Sequence, residues 1–391
     1  MDKDLKSKTV DELERLVIEL GQKKYIAGYV FGFIHTRGIT DISAITPLSK
    51  SLRSQLTEQG YFISALQVTE KLTDPDGTVK YVFGLPDGNK VESVLLFDNG
   101  RRTLCISTQV GCAMGCVFCA TGRLGLTRNL TAGEMVEQVN IVSSCVPGTA
   151  SCDDLRSTQN AGRITNVVFM GMGEPLANYD CVLKAVRILN HPKGKNIGIR
   201  RLTISTCGLP EGIERLAEED IQPRLAISLN APTDSIRQKL MPIVSRPALG
   251  GTLDRLLKAV GLYQRTTRNR VTFEYCLIKG VNDTVLHARL LAKRLRPFMC
   301  NVNLIEYNPV RPLADRAVEH LNSGAGENAK LRSTVPLFNF QPSGKEAIER
   351  FAKVLKDSGI ETTVRAKMGQ TINAACGQLG AGGATGENLE W

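Results

Sequence analysis

The sequence predicts a parallel α/β domain, open or barrel-like, behind a small helical unit and a short connecting β-sheet. Three observations carry the reading. Six short runs rich in β-branched and aliphatic residues recur between residues 166 and 369, with helical patterns among them, the signature of strands joined by crossover helices. Residues 1–75 space their apolar side chains at helical intervals, and residues 76–104 alternate apolar and polar residues around Asp-Gly and Asn-Gly turns. The chain has 391 residues, room for two or three structural units at about 150 residues each.

In the helical unit, VDELERLVIELG spaces its leucines and stops at Gly21, KKYIAGYVFGFIHTRG repeats aromatic and aliphatic residues at helical spacing, and ISAITPLSKSLRSQL reads as a third helix. Such a unit either docks and handles a substrate or caps the larger domain. YVFGLPDGNKVESVLLFDNGRRTLCIST then reads as two hairpin strands leading into a third. The main domain, expected over 105–376, offers strands at NVVFMG (166–171), LTISTCG (202–208), RLAISLNAP (224–232), VTFEYCLI (271–278), VNLIEYNP (302–309) and ETTVRAKMG (361–369). TAGEMVEQVNIVSS, DCVLKAVRILN and TVLHARLLAKRL supply helices between them. Polar or glycine residues close each strand, where they face an active site at the C-terminal edge of such a sheet. A charged, Gly-containing insert at 311–340 and the Gly-rich tail at 377–391 read as peripheral and mobile.

Composition narrows the class. Hydrophobic residues make up 42% and charged residues 23%, so the chain reads as globular rather than disordered. No apolar run reaches the roughly 18 residues that span a bilayer, and the first residues lack a secretory signal's hydrophobic centre. A soluble cytoplasmic protein is expected. Lys and Arg number 49 against 39 Asp and Glu, a net +10 that favours an anionic partner. A basic protein with no nucleic-acid role stands beside that reading. The cysteines number 11, an odd count in a long chain without a secretion signal, which points to reduced thiols with metal or catalytic work.

The sharpest local feature is CAMGCVFCATG, which spaces Cys112, Cys116 and Cys119 as C-x3-C-x2-C. Thiolates are soft ligands for iron–sulfur clusters or zinc, and three within eight residues can surround one side of a cubane. A structural zinc site closes with a fourth ligand. None of His35, His191, His287 and His320 is near in sequence, so zinc would need a distant cysteine. Three unrelated buried cysteines is the remaining alternative. MGMGEP at 170–175 places glycines and Glu174 directly after a strand, where backbone can approach a ligand and the carboxylate can accept from an ammonium. Ser205, Ser228, Asn230 and Asn308 end or follow other strands and can meet ribose hydroxyls, a carboxylate or a base. Cys105 lies seven residues before Cys112, and Cys376 stands in NAACGQL after the last strand; structural packing is the plain reading of each.

The C-x3-C-x2-C spacing, with Phe118 before its last cysteine, resembles the radical S-adenosylmethionine (SAM) superfamily. There, three cysteines hold a [4Fe-4S] cluster whose open iron chelates SAM. The words CISTQVGCAMGCVFCATGRLGLTRNLTAGEMVEQV, MGMGEPLANYD, RLTISTCG, LAISLNAP and AACGQL resemble the RlmN/Cfr family of radical SAM RNA adenosine methyltransferases. GYVFGFIHTRGITDISAITPLSKSLRSQL is similar to that family's helical accessory domain, so the resemblance covers nearly the whole chain. It implies a partial (β/α)6 TIM-like barrel, with residues 1–75 serving RNA binding. It also implies that one SAM methylates Cys376 and that a second supplies the radical that activates this methyl group for addition to adenine. Cys105 would then release the base, forming a disulfide bond with Cys376, and Glu92 would take the adenine carbon's proton. Cys112, Cys116 and Cys119 match the cluster ligands, and Gly173, Glu174, Ser205, Ser228, Asn230 and Asn308 fall on SAM-binding words. Asn230 stands where many relatives carry histidine.

Two of these assignments have a physical side. Glu92 in a closed, partly apolar pocket would have a raised pKa suited to accepting a proton, whereas on an exposed hairpin it would be an ordinary surface group. Arg123, Arg128 and Lys367 flank the predicted site segments and could contact phosphates. The implied partners are 23S rRNA, transfer RNA in some members, and a low-potential electron donor such as flavodoxin or ferredoxin, acting on a monomer. The near-complete accessory domain and the AACGQL ending look closer to the branch that methylates adenine C2 than to the one that methylates C8. Another RNA acceptor for the same cofactor, or a non-enzymatic basic RNA- or zinc-binding protein, are the competing readings.

Overall fold

The structure is a computed structural model and describes residues 3–145, 163–242, 251–310 and 339–380. Three helices open the chain: α1 (Val10–Glu19), α2 (Ile26–His35) and α3 (Lys50–Glu58). Thr9 and Glu12 form a reciprocal capping box at α1, satisfying two end donors that water would otherwise have to serve. α3 starts only at Lys50, because Pro47 interrupts the expected helix and Ser49 caps the part that forms. Leu13, Leu16 and Val17 of α1 pack with Val30, Phe31 and Ile34 of α2 in one core.

This unit is joined to the rest by buried polar contacts. Lys6 is fully buried, its ammonium 2.5 Å from the Glu137 carboxylate and donating to the Ser64 carbonyl. Ser7 Oγ accepts from the Gly133 amide at 2.9 Å. A Cβ on Gly133 would stand 2.2 Å from an Asp4 carboxylate oxygen, so only glycine allows the approach.

His35 of α2 is fully buried, and neither ring nitrogen has a hydrogen-bond partner. Burial, with the charges of Lys6 and Lys195, pushes its pKa down to about 3. The unfolded chain therefore takes up a proton below about pH 6.5 that the folded chain refuses, and stability falls as pH drops through that window. Between about pH 7 and pH 5 the loss is about 2 kcal/mol, at 1.36 kcal/mol per pH unit past the unfolded pKa. His35→Phe is expected to remove this part of the pH dependence in urea unfolding; an unchanged dependence would assign it to other groups.

Twelve strands follow among the described residues. β1 (Gln67–Thr73), β2 (Val79–Gly84), β3 (Lys90–Asp98) and β4 (Arg101–Cys105) run antiparallel, with a tight turn at Asn99–Gly100, both at positive φ. β4 then pairs in parallel with β7 (Asn166–Phe169), followed in spatial order by β8 (Leu202–Thr206), β9 (Arg224–Ser228), β10 (Val271–Leu277), β11 (Cys300–Glu306) and β12 (Glu361–Val364). The connecting hairpins are thus continuous with the main sheet, which has 10 strands. β5 (Gln109–Cys112) and β6 (Gly125–Asn129) form a separate two-stranded ribbon.

The helices of the main domain are α4 (Ala120–Leu124), α5 (Ala132–Cys145), α6 (Tyr179–Asn190), α7 (Pro210–Glu218), α8 (Asp234–Leu240), α9 (Leu253–Thr267), α10 (Val285–Leu295) and α11 (Lys345–Asp357). The parallel part of the sheet, joined by these helices, has the architecture of a partial TIM-like barrel. Its alternation shows why. On β10, Val271, Phe273, Tyr275 and Leu277 are fully buried, and Tyr275 meets Phe351 of α11 at 5.2 Å between ring centres. The intervening Glu274 and Cys276 line the central cavity. Residues of one face therefore pack against helices while the other builds a site.

The sequence reading assigned no strand to 67–73. QVTEKLT is polar and mostly exposed at the sheet edge, so it lacks the apolar alternation that marks a half-buried strand. Of the 311–340 insert, residues 311–338 lie outside the described residues, as do 381–391 of the tail. No helix among the described residues is long and apolar enough to cross a membrane.

Candidate active site

The cysteine loop is held by its own glycines. Cys112 ends β5 opposite Gly125, and a Cβ on Gly111 would lie 1.9 Å from the Gly125 carbonyl oxygen. Gly115, at positive φ, turns the chain back, and the Cys119 amide donates to the Cys116 carbonyl at 3.1 Å as α4 begins. A Cβ on Gly122 would come within 2.9 Å of the Cys116 backbone. The Val117 amide donates to the Leu240 carbonyl at the end of α8, 3.0 Å away. All three thiols line a single cavity with about 1030 Å³ of atom-free space counted to its open mouth.

Strand ends close the cavity. Gly173 has φ +106, and a Cβ there would lie 2.6 Å from Gln109 Cβ, so no other residue fits. Glu174 is buried, accepting from the Leu176 amide at 2.9 Å and the Cys207 amide at 2.7 Å. Burial still raises its pKa above the usual carboxylate value, those donors opposing. Its charge acts on Cys112 and Cys116, which places it beside the thiols. Ser205, Ser228 and Asn230 line the same space. Asn230 takes the left-handed conformation at φ +57 and accepts from the Cys276 amide at 2.9 Å, so its Oδ1 pins β9 to β10.

A C-terminal segment completes the site. Asp76 and Asp74, in the turn between β1 and β2, accept from the amides of Gly369 (2.8 Å) and Thr371 (2.9 Å). Asn308 Nδ2 donates to the Cys376 carbonyl at 3.1 Å, and the Ala120 amide to the Gly377 carbonyl at 2.7 Å. Thr121 Oγ1 donates to the Leu379 carbonyl at 2.7 Å, and the Gly380 amide to Glu92 at 2.9 Å. The start of the Gly-rich tail, expected to be mobile, is therefore fastened to the cysteine loop. Between these fixings the Cys376 side chain is exposed and lines the cavity mouth.

The structure brings together Cys112, Cys116, Cys119, Gly173, Glu174, Ser205, Ser228, Asn230 and Cys376 around one cavity. Three predicted residues stand outside its lining. Asn308 serves the Cys376 backbone instead. Cys105, ending β4, is close enough for the charge of Cys376 to act on it. Glu92, two residues along β3 from the Val94 that pairs with Cys105, is buried and 3.7 Å from the Lys80 ammonium. Burial raises the Glu92 pKa and Lys80 opposes the rise. Of the basic residues, Arg128 forks onto Glu134 at 2.9 and 2.8 Å, Lys367 pairs with Glu306 at 2.7 Å, and Arg123 donates to the Val117 carbonyl.

The disulfide bond implied by the resemblance is not found: all ten described cysteines are free thiols, Cys105 and Cys376 included. Burial and the neighbouring Cys376 push the Cys105 thiol up to about 12.

The thiol loop fits an iron–sulfur cluster by the chemistry of its donors. Burial and mutual repulsion raise the pKa of Cys112 and Cys116, and burial that of Cys119; coordination by iron relieves both costs. Among the described residues no trio of His, Cys, Asp or Glu gathers tightly enough around one point to hold a single ion. Glu174 offers the neighbouring carboxylate that an ammonium group of SAM requires.

Sequence reasoning missed Glu274, Cys276 and Arg365, which also line the cavity. The first two carried a readable signal, since they interrupt an apolar strand at every second position. Arg365 had none, because its neighbourhood of Cys376, Glu274 and Cys105 arises only from folding.

Fold and site together define an enzyme of the radical SAM methyltransferase class, one that uses a [4Fe-4S] cluster and SAM. Residues 153–291 match the family model of the radical SAM superfamily, and residues 3–61 match that of the ribosomal RNA large subunit methyltransferase N-terminal domain. Probable dual-specificity RNA methyltransferases RlmN are similar along their length: that of Thermoanaerobacter sp. (strain X514) is 39% identical over 96% of this chain and 97% of its own. The Thermotoga maritima protein of that name is 40% identical over 96% of this chain and 97% of its own. A crystal structure of a radical SAM methyltransferase from Sphaerobacter thermophilus superposes with a TM-score of 0.80 at 40% identity, covering 97% of this chain and 99% of that one. The chain belongs to the RlmN family of radical SAM methyltransferases.

Proposed function

We propose that this enzyme methylates C2 of adenosine in 23S rRNA, and in transfer RNA, through a methyl group carried on Cys376, using two SAM per product. One observation carries the reading: Cys376 presents an exposed thiol at the mouth of the cavity lined by the three cluster cysteines, with its own carbonyl and that of Gly377 held by Asn308 and Ala120. A surface cysteine with no such task would not need its own carbonyl and the next one fastened by separate elements. The dual-specificity names of the relatives and the net +10 charge support an RNA substrate, and the helical unit over residues 3–61 is assigned to holding it.

When bound, the cluster and SAM supply the methyl group and the one-electron chemistry that an unactivated sp2 carbon demands. Cys112, Cys116 and Cys119 hold the cluster. Gly173, Glu174, Ser205 and Ser228 receive SAM, with Asn230 and Asn308 holding the strand ends and the Cys376 loop in place. Cys376 carries the methyl carbon to the base. Glu92 accepts the proton that leaves adenine: burial raises its pKa and makes it the stronger base, with Lys80 opposing the rise. Cys105, ending β4 near Cys376, is assigned as a second thiol of the reaction. The enzyme acts as a cytoplasmic monomer served by a low-potential donor such as flavodoxin or ferredoxin. The target adenosine leaves its stack to enter, which costs least in a loop or bulge.

The test is an anaerobic reaction of the reconstituted protein with SAM, reductant and unmodified 23S rRNA fragments or tRNA, followed by nucleoside mass spectrometry. 2-Methyladenosine is the expected product; 8-methyladenosine, or none despite SAM cleavage, overturns the proposal. Cys105→Ala is expected to accumulate RNA covalently attached to the protein, seen as a shifted band in denaturing gels. Free methylated base from that variant at the parental rate removes Cys105 from the reaction.

A further inference from the structure

Glu274 stands on β10, level with Ser228 of β9 on one side and Asn303 of β11 on the other. Its side chain lies against the cavity and is 5% exposed. One carboxylate oxygen accepts from Asn303 Nδ2 at 3.0 Å, and the other, Oε2, is buried with no partner. An unpaired carboxylate oxygen in such a place is costly, a cost that a donor on a bound molecule would remove. The Arg365 guanidinium acts on the Glu274 carboxylate through its charge, but it gives Oε2 no hydrogen bond.

SAM brings three kinds of donor: an ammonium, a ribose diol and an adenine amine. The ammonium belongs with the open iron, beside the cysteine loop, and there Glu174 is the carboxylate whose charge reaches Cys112 and Cys116. Glu274 stands instead in mid-strand on β10, between β9 and β11. The remaining donors point to the diol, because Ser228 lies beside Glu274 in the strand register and both line the cavity. A carboxylate beside a hydroxyl matches two adjacent hydroxyls, the way acidic residues hold ribose in nucleotide sites. Asn230, the other candidate for ribose, already spends its Oδ1 on the Cys276 amide.

We infer that Glu274 is a SAM-binding residue whose free carboxylate oxygen accepts a hydrogen bond from the ribose diol. The inference rests on the cofactor and not on the RNA, so it stands or falls separately from the methylated position. It makes Glu274 a specificity determinant against deoxyribose analogues.

Equilibrium dialysis of the full-length, cluster-reconstituted protein without reductant measures binding without turnover. SAM, its 2′-deoxy and 3′-deoxy analogues and an analogue lacking the adenine 6-amino group are compared for the parent and for Glu274→Gln, with iron content and circular dichroism checked for each. The parent is expected to bind at least one deoxy analogue roughly tenfold or more weakly than SAM. In Glu274→Gln, SAM affinity falls by a similar factor and the penalty on that analogue largely disappears. An undiminished deoxy penalty in the variant, or a lost penalty on the adenine analogue instead, overturns the assignment. A parent that binds both deoxy analogues as tightly as SAM overturns it whether or not the variant folds.

Discussion

Cys112→Ala is expected to lower the iron of the reconstituted protein from about four atoms per chain to below about one, and to abolish SAM cleavage. Cys112 is the ligand at the end of β5, paired with Gly125, while Cys116 and Cys119 lie on the tight turn that follows. Two thiols on one turn grip only one edge of a cubane. The third must come from the ribbon, and no fourth cysteine substitutes without distorting the loop: Cys207 lies near, but its amide is tied to Glu174 at 2.7 Å. Cys300→Ala, at the start of β11 and outside the cavity lining, is the matched control for loss of a buried thiol. It is expected to keep its iron. A Cys112→Ala protein that retained about four irons and cleaved SAM at the parental rate would mean that the loop is not the cluster site.

That loop was legible because its chemistry is local: three thiols within eight residues, with the glycines that let them converge. The parallel strands were legible for the same kind of reason, since each is a short apolar run bounded by helical pattern. What stayed hidden depends on register. Ser228, Glu274 and Asn303 form a row only because β9, β10 and β11 pair as they do, and nothing in the three separate strand words fixes that alignment. Asn230 and Asn308 stand two residues past the ends of β9 and β11, and their side chains hold the Cys276 amide and the Cys376 carbonyl. Those partners lie 46 and 68 residues away in sequence. The same holds for the tail. GQLG reads as a flexible word, yet Thr121, Ala120 and Glu92 fasten it, each from an element that sequence alone could not bring near.

Cys376→Ala is expected to lower methylated adenosine by more than ~10³-fold, the scale seen when a covalent catalyst loses its reacting atom. Iron content should stay at the parental value and SAM cleavage should persist. The separation follows from the way the loop is built. Asn308 and Ala120 donate to the carbonyl oxygens of Cys376 and Gly377, and Gln378 donates to the Pro309 carbonyl at 2.9 Å; none of these contacts uses the Cys376 side chain. An exposed side chain also contributes little burial, so truncation leaves stability within about 0.5 kcal/mol. Cys376→Ser is expected to be equally inactive, because a hydroxyl at this pH is a poorer methyl acceptor than a thiol. Cys276→Ala, which removes a neighbouring thiol of the same cavity, should retain product and so show that position, not thiol content, decides the outcome. Methylated adenosine at the parental rate from Cys376→Ala would force the carbon to reach the base without a protein carrier, and the fastening of this loop would need another cause.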